Sequence, residues 1–152
     1  MVHFPKPIMT GASRTAAHIL IVDDNSMGLV ARRTVLEELG HRVHTCSTAE
    51  EALESCVKIQ FDVVVTDYKM PNMDGIQFIR ELRKHHPMVP VILISGFTDA
   101  LGLSETSTGA DAVIQKSALE VGHLIRAVNR LLKKPIKKPP KPQSPPDKRR
   151  RA

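Results

Sequence analysis

The sequence contains few of the residues that hold small secreted proteins together. Its 152 residues include two cysteines, no tryptophan and only 3% aromatic residues. Cys46 and Cys56 are too few for a disulfide scaffold, and we expect both to pack in the core. No apolar run approaches the ~20 residues of a membrane span, and Pro5 and Pro7 interrupt the stretch where a signal peptide would begin. These absences predict a soluble, cytoplasmic protein with one domain.

The net charge of +6 is distributed unevenly along the chain. Residues 133–152 contain nine Lys or Arg and one acidic residue, a formal charge of +8, so the preceding residues carry −2. Six of the eleven prolines lie in the same basic segment, which has almost no apolar residues to bury. We therefore expect a flexible arm at 1–17, a folded domain at 18–133 and a disordered basic tail at 134–152.

Apolar runs alternate with helical patterns through the folded part of the chain. Three of the runs are continuously apolar, which indicates strands buried on both faces of a parallel sheet. Apolar residues at helical spacing predict helices between the strands and after the last one. The helix predicted over Thr98–Thr108 is rich in weak helix formers, so we expect it to be the least stable. The predicted strands are His18–Asp23, Arg42–Cys46, Phe61–Thr66, Val91–Ser95 and Asp111–Gln115.

Local signals mark several helix ends. Gly40 is predicted to end the first helix in the left-handed conformation. Thr48 and Glu51 have the spacing of a capping box, as do Ser117 and Glu120. The first helix has an apolar stripe typical of a helix that faces a core. The stripe consists of Met27, Val30, Ala31, Val35, Leu36 and Leu39.

This order of elements predicts a (βα)₅ domain, an α/β fold with a doubly wound parallel sheet of five strands. In such sheets, functional sites lie beyond the carboxyl ends of the strands. Asp23 and Asp24 follow the first strand, and Asp67 ends the third. Ser95 ends the fourth strand and Lys116 follows the fifth, so all five residues are expected at one edge.

Each of these residues also has an ordinary structural explanation. Asp24 or Asn25 could cap the first helix, and Asp67 could hold the following turn by local hydrogen bonds. Together, however, three carboxylates repel one another and need a cation to remain ionised. Oxygen ligands suit Mg²⁺, and Lys116 and Ser95 could hold phosphoryl oxygens opposite the metal. The combination predicts a Mg²⁺-dependent phosphoryl site with an aspartate nucleophile.

Five ordered motifs at the predicted strand ends resemble the receiver domain of two-component response regulators. The resemblance extends over roughly residues 18–133. It implies a flavodoxin-like fold with the strand order 2-1-3-4-5. The motifs are Ile21–Asp24, Val63–Asp67, Tyr68–Gly75, Ile94–Gly96 and Gln115–Lys116.

The resemblance also implies an acceptor and a set of metal ligands. Asp67 would accept a phosphoryl group from a histidine kinase or a phosphotransfer protein. Asp24 and Asp67 would bind Mg²⁺ directly, together with the backbone carbonyl of Lys69. Asp23 would act on the metal mostly through water. Slow loss of its own acyl phosphate would not make such a signalling domain a conventional enzyme.

The remaining residues implied by the resemblance concern the phosphoryl group and the switch. Lys116 would pair with the phosphoryl group, and Ser95 would move its hydroxyl toward it. Val113 stands where receivers usually carry Tyr or Phe, so the aromatic switch is absent or replaced. Ser117 stands where most relatives have proline. We expect the Lys116–Ser117 bond to be trans, because a cis bond before a non-proline residue costs about 2.5–4 kcal/mol.

Two other functions are compatible with parts of the sequence. The basic tail suggests a binder of nucleic acid or of an anionic membrane surface, with the receiver as a regulatory module, although the tail has no aromatic residue for base stacking. A dehalogenase-like phosphatase also has a nucleophilic aspartate after a strand, but that class has an Asp-x-Asp pattern and Lys69 stands at its second position here. The resemblance favours a stand-alone phosphoacceptor that signals to an unknown output protein through the face formed by helix four, strand five and helix five.

Overall fold

Continuous apolar strands form the centre of the fold. The computed structural model describes residues 16–96 and 101–133. Within these ranges, five parallel strands form one sheet in the order β2-β1-β3-β4-β5, which confirms the predicted class and strand order. The expected arm lies almost entirely outside the described residues, and the expected tail at 134–152 lies wholly outside them. The strands are β1 (His18–Val22), β2 (Arg42–Cys46), β3 (Val63–Asp67), β4 (Val91–Ser95) and β5 (Ala112–Gln115).

Helices connect the strands and follow the last of them. No helix in the described ranges is both long enough and apolar enough to cross a membrane. Connections of this length between parallel strands place helices over the sheet. The described helices are α1 (Ser26–Glu38), α2 (Ala49–Lys58), α3 (Gly75–His85), α4 (Glu105–Thr108) and α5 (Glu120–Lys133).

The core is divided into two parts by the sheet, because successive residues of a strand point to opposite faces. Leu20 and Leu93 belong to the part that includes α2 and α3, and both predicted core cysteines are buried there. Ile19 and Ile94 belong to the part that includes α1 and α5. Every residue of β3 and β4 is buried, as expected for parallel strands covered on both faces. Each large apolar side chain buried in this way contributes about 1.5–3 kcal/mol.

The first helix does not bury the stripe predicted from its sequence. Met27, Val30 and Leu39 are 80%, 63% and 47% exposed, whereas Arg32 and Leu36 are buried. Residues four apart share one face of a helix, so the face that carries Leu36 against the sheet also turns Arg32 inward. The prediction that Met27, Val30 and Leu39 face the core was therefore wrong, because Arg32 occupies a core-facing position of the helix.

Two of the predicted helix ends are found in the structure. Gly40 has a φ of 94° and donates to the carbonyl of Glu37, while His41 donates to the carbonyl of Leu36. This pair of bonds ends α1 in a Schellman motif, which requires the left-handed conformation that glycine adopts without strain. Thr48 precedes α2, and its side chain accepts the backbone N–H of Glu51 at 3.1 Å.

The helix predicted over Thr98–Thr108 is not continuous. Only α4 is described as a helix of four or more residues in this segment, and residues 97–100 lie outside the described ranges. Gly102 has a φ of 63°, and Ser104 is extended and accepts the backbone N–H of Ser107 as the cap of α4. A left-handed glycine followed by an extended cap cannot continue a helix. The prediction of a single helix was therefore wrong, and the expected low stability of this segment stays a prediction.

Asp74 caps α3 in a reciprocal arrangement. Its Oδ1 accepts the Gln77 N–H at 2.8 Å, and Gln77 Oε1 accepts the Asp74 N–H at 2.9 Å. We expect Asp74→Ala to lower the free energy of unfolding by about 1 kcal/mol, because one N-terminal N–H of the helix loses its acceptor. Urea denaturation measures this loss. Asp74→Asn keeps an acceptor oxygen and should retain most of the stability, so an equal loss in both variants would contradict the capping role.

Candidate functional site

Three carboxylates meet where β1 and β3 end. These strands are neighbours and Val22 pairs with Thr66, so the residues that follow the pair, Asp23 and Asp67, come side by side. One carboxylate oxygen from each of Asp23, Asp24 and Asp67 lies within 4.8 Å of the others. Asp23 and Asp67 are only 1% and 4% exposed, whereas Asp24 is open to solvent. The structure therefore brings the three predicted acidic residues into one cluster.

Asn25, and not Asp24, caps the first helix. The Asn25 side chain accepts the backbone N–H groups of Met27 and Gly28 at 2.9 and 3.2 Å. This decides between the two capping residues that the sequence allowed. Because the helix end is already satisfied, the Asp24 carboxylate is available for another ligand.

Lys116 reaches the cluster from the end of β5. Its Nζ lies 2.9 Å from Oδ1 of Asp67, and its backbone N–H donates to the Ser95 carbonyl at 2.9 Å. The side-chain contact is an ion pair by distance, but no donor among the described residues is aligned for a hydrogen bond to this buried Oδ1. Asp67 therefore has a charge partner, and because an ionised carboxylate has about four lone-pair sites, it can accept a further ligand as well.

The protonation of Asp67 depends on the charges around it. Burial raises the pKa of its carboxyl above the ordinary value, and the neighbouring Asp23 raises it too, while Lys116 and Arg32 oppose the shift. The net direction is upward, so the site favours the neutral form of this carboxyl more than water does. Three clustered carboxylates, two of them buried, fit a divalent cation that prefers oxygen ligands, such as Mg²⁺.

The raised pKa of Asp67 predicts how Asp67→Asn affects stability without metal. Between the unfolded and folded pKa values, the folded protein holds the proton more tightly than the unfolded chain, so stability falls as pH rises. At neutral pH in EDTA the variant should be more stable than the wild type. This advantage should shrink as the pH falls through the folded pKa toward the unfolded one. Urea midpoints across a pH series test this, and a less stable variant at neutral pH would contradict it.

The turn after β3 is held by its backbone. Gly75 donates to the Tyr68 carbonyl at 2.7 Å, Met73 donates to the Pro71 carbonyl at 2.8 Å, and Asn72 has a φ of 69°. Within the described residues, Oδ1 of Asp67 accepts no hydrogen bond from the N–H groups of this turn. The alternative in which Asp67 merely holds the turn is therefore not supported by its contacts.

The remaining predicted site residues lie at the same edge or close to it. Ser95 is buried at the end of β4. Lys69 is exposed two residues after Asp67, and the metal-binding role of its carbonyl stays a prediction. Val113 is half-buried and packs against the core on the side of α2 and α3. The Lys116–Ser117 bond is trans, as predicted.

Asp23 has partners that the sequence analysis did not identify. Its Oδ2 accepts a hydrogen bond from Arg32 Nη1 at 2.5 Å, and its Oδ1 accepts the Asn25 N–H at 2.9 Å. Arg32 Nη2 donates to Glu120 Oε1 at 3.2 Å. Burial opposes the charge of Arg32, but the hydrogen bond and attraction of Glu120, together with Asp23, outweigh it and raise the pKa of the guanidinium. A buried positive charge therefore persists beside the carboxylate cluster.

The position of Glu120 corrects the second predicted capping box. Ser117 Oγ accepts the Leu119 N–H at 3.1 Å, and α5 begins at Glu120, whose carboxylate faces Arg32. The prediction of a capping box was wrong because the Glu120 side chain pairs with Arg32 on α1 instead of bonding back to Ser117. A charge-assisted hydrogen bond is stronger than a neutral one. The predicted apolar stripe of α1 did not include Arg32, so the sequence contained no clear signal for this network.

Comparisons with known proteins agree with this geometry. The family model described as the response regulator receiver domain matches residues 19–129. The gliding motility regulatory protein of Myxococcus xanthus is 28% identical over 129 residues, which are 83% of this chain and 17% of that protein. The chain thus spans about a sixth of this relative's length.

Solved structures with the same architecture include two response regulators. The chemotaxis response regulator CheY4 of Vibrio cholerae superposes with a TM-score of 0.70 at 27% identity, covering 77% of this chain and 99% of that one. The response regulator TrrA of Thermotoga maritima, solved in complex with Mg²⁺ and BeF, has a TM-score of 0.69 at 27% identity, covering 76% and 98%. The matched range includes the whole sheet apart from its first residue and every site residue. The chain belongs to the response regulator receiver domain family of two-component systems.

Proposed function

We propose that this domain is a phosphoacceptor in a two-component phosphorelay and that Asp67 receives the phosphoryl group. Asp67 carries the proposal because it is a buried carboxylate that pairs with Lys116 and lies beside two further carboxylates. The donor is a histidine kinase or a phosphotransfer protein. The alternative function, a polyanion binder, depends on residues 134–152, which lie outside the described ranges.

The acid cluster holds Mg²⁺ in this proposal. Asp24 and Asp67 are the direct ligands with the Lys69 carbonyl, and Asp23 acts mostly through water. When bound, Mg²⁺ neutralises charge on the phosphoryl oxygens. The oxygen-only donor set supports this assignment, and so does the TrrA receiver, which was solved in complex with Mg²⁺ and BeF.

The transfer is an in-line displacement on phosphorus. An Asp67 carboxylate oxygen forms the new P–O bond while the P–N bond of the donor phosphohistidine breaks. The histidine nitrogen keeps the electron pair and takes a proton from solvent, and Asp67 becomes an acyl phosphate. The Lys116 ammonium, 2.9 Å from Asp67 Oδ1, is placed to stabilise the negative charge of the transferred oxygens.

The product changes the charge of the site. A phosphorylated side chain carries about −1.5 to −2 charges at neutral pH, and the proposed response is movement of the Ser95 hydroxyl toward the phosphoryl group. Ser95 ends β4, and its carbonyl accepts the N–H of Lys116, the residue after β5. This backbone hydrogen bond connects Ser95 with the end of β5. The face of α4, β5 and α5 is then the output surface for an unknown partner. With Val113 in place of the usual aromatic residue, the aromatic switch is absent or replaced.

Exposed apolar side chains next to the site support docking of the donor. Met27 on the first turn of α1 is 80% exposed, and Leu119, which lies between Lys116 and Glu120, is 66% exposed. A helix that carries the donor histidine could bury an apolar face against these residues. We also propose a cytoplasmic location, which the two free cysteines support.

Labelling with a small phosphodonor tests the proposed function. The wild-type domain, incubated with ³²P-labelled acetyl phosphate and Mg²⁺, should incorporate label that hydroxylamine removes, because acyl phosphates react with this nucleophile. EDTA should suppress the incorporation. No incorporation, label that survives hydroxylamine or equal labelling in EDTA would contradict the proposal.

A further inference from the structure

Arg32 places a buried positive charge between the acid cluster and α5. The residue is 4% exposed, and its two terminal nitrogens contact different acids. Nη1 lies 2.5 Å from Asp23 Oδ2, and Nη2 lies 3.2 Å from Glu120 Oε1. One guanidinium on α1 therefore connects the carboxylate at the end of β1 with the first residue of α5.

Gly28 provides the space for this contact. It lies one helical turn before Arg32 on α1, so both residues share the face toward Asp23. A Cβ atom at position 28 would lie 2.6 Å from Asp23 Oδ2 and 3.5 Å from Arg32 Nη1. Any side chain there would displace the Asp23 carboxylate, so the ion pair depends on glycine at this position.

The ion pair is not well suited to a purely stabilising role. Arg32 Nε is buried without a hydrogen-bond partner among the described residues. Buried ion pairs gain little stability when desolvation is included, and less when a donor stays unsatisfied. The ion pair places a positive charge beside Asp23 within a cluster of three carboxylates, which an apolar residue could not do.

We propose that Arg32 is a positioning residue that competes with Mg²⁺ for Asp23 and couples metal binding to the first turn of α5 through Glu120. The inference rests on the proposed function, since it takes Asp23 as part of the metal site. Two cations that share one carboxylate weaken each other's binding, because they repel each other and each occupies oxygen lone pairs that the other would use. A change in the Arg32–Asp23 contact also changes the Arg32–Glu120 contact, because both are made by one rigid, planar guanidinium.

Mg²⁺ titration by isothermal calorimetry tests the competition. Arg32→Leu should bind Mg²⁺ about tenfold more tightly than the wild type, because Asp23 is released and a nearby positive charge is removed. Arg33→Leu is the matched control, since Arg33 is exposed on the same helix and pairs with Glu37 at 2.8 Å. The control should match the wild type. Equal or weaker binding by Arg32→Leu would overturn the proposal, as would equal tightening in both variants.

A conservative variant keeps the test decisive if Arg32→Leu does not fold. Glu120→Gln leaves Asp23 as the only acidic partner of Arg32 among the described contacts, so Mg²⁺ binding should weaken about threefold. In the Arg32→Leu background, if it folds, the same substitution should have little effect. No change on Glu120→Gln in the wild-type background, or an equal effect in both backgrounds, would overturn the coupling to α5.

Phosphodonor labelling of the same proteins separates this proposal from the proposed function. Intact labelling of the wild type with identical Mg²⁺ affinities for wild type and Arg32→Leu would overturn the role of Arg32 alone. Loss of labelling with the expected affinity differences would count against phosphoacceptance alone. Absence of Mg²⁺ binding in every variant would overturn both.

Discussion

Asp67→Asn is expected to reduce phosphorylation by a small phosphodonor to background while the domain stays folded. An amide lacks the anionic oxygen that attacks phosphorus. Neither neighbouring carboxylate is an equivalent substitute. Asp23 is held by Arg32 and by the Asn25 N–H, and Asp24 lacks the contact that Lys116 makes with Asp67.

The matched control for this loss lies near the opposite end of the same strand. Asp62 precedes β3 and is exposed, and its Oδ2 accepts the His18 N–H at 2.7 Å, far from the acid cluster. Asp62→Asn should incorporate ³²P from acetyl phosphate like the wild type. Circular dichroism of all three proteins shows whether the fold is retained. Wild-type labelling of Asp67→Asn would move the acceptor to another residue, with Asp24 the first to examine.

Gly75→Ala is expected to have the largest effect on stability, a loss of about 3 kcal/mol in the free energy of unfolding. An added Cβ would lie 2.5 Å from the Asp67 carbonyl oxygen, 2.9 Å from Tyr68 Cα and 2.8 Å from Leu93 Cδ1. Two of these atoms belong to the backbone and cannot rotate away. The backbone of Asp67 would have to shift, so the rate of phosphorylation should fall as well.

Gly122→Ala is the matched control, because it makes the same chemical change in an open position. Gly122 is exposed in α5, and the nearest atom to an added Cβ is Arg126 Nη2 at 4.0 Å. Alanine there should stabilise the domain by about 0.5–1 kcal/mol through helix propensity. Urea denaturation compares the two variants. Stability of Gly75→Ala equal to that of the wild type would show that the turn after β3 can relax around a methyl group.

Much of the fold could be predicted from local patterns. Three continuous apolar runs indicated strands buried on both faces, and β3 and β4 are buried at every residue. Because the carboxyl ends of parallel strands share one edge, the same runs predicted that Asp23, Asp24 and Asp67 would meet, and they do. Strand burial and strand ends depend on neighbouring residues in the chain, so a single sequence contains this information.

Local patterns were less reliable where several structures satisfy them. Met27, Val30 and Leu39 were predicted to face the core but are exposed. The spacing of apolar residues does not determine which of two adjacent helix faces packs on the sheet. The prediction of one continuous helix up to Thr108 was wrong because Gly102 and Ser104 interrupt it. In α1, packing against the sheet made the choice, whereas the break before α4 arises from local residues.

The sequence by itself determined the α/β class, the acidic edge and the residues at the strand ends, because each depends on short-range order along the chain. Only the tertiary structure decided what surrounds Asp23. Arg32 lies nine residues from Asp23 and 88 from Glu120, and folding brings the three side chains into one network. Charge pairing depends on distance in space, and no spacing along a single chain fixes the partner of a buried arginine.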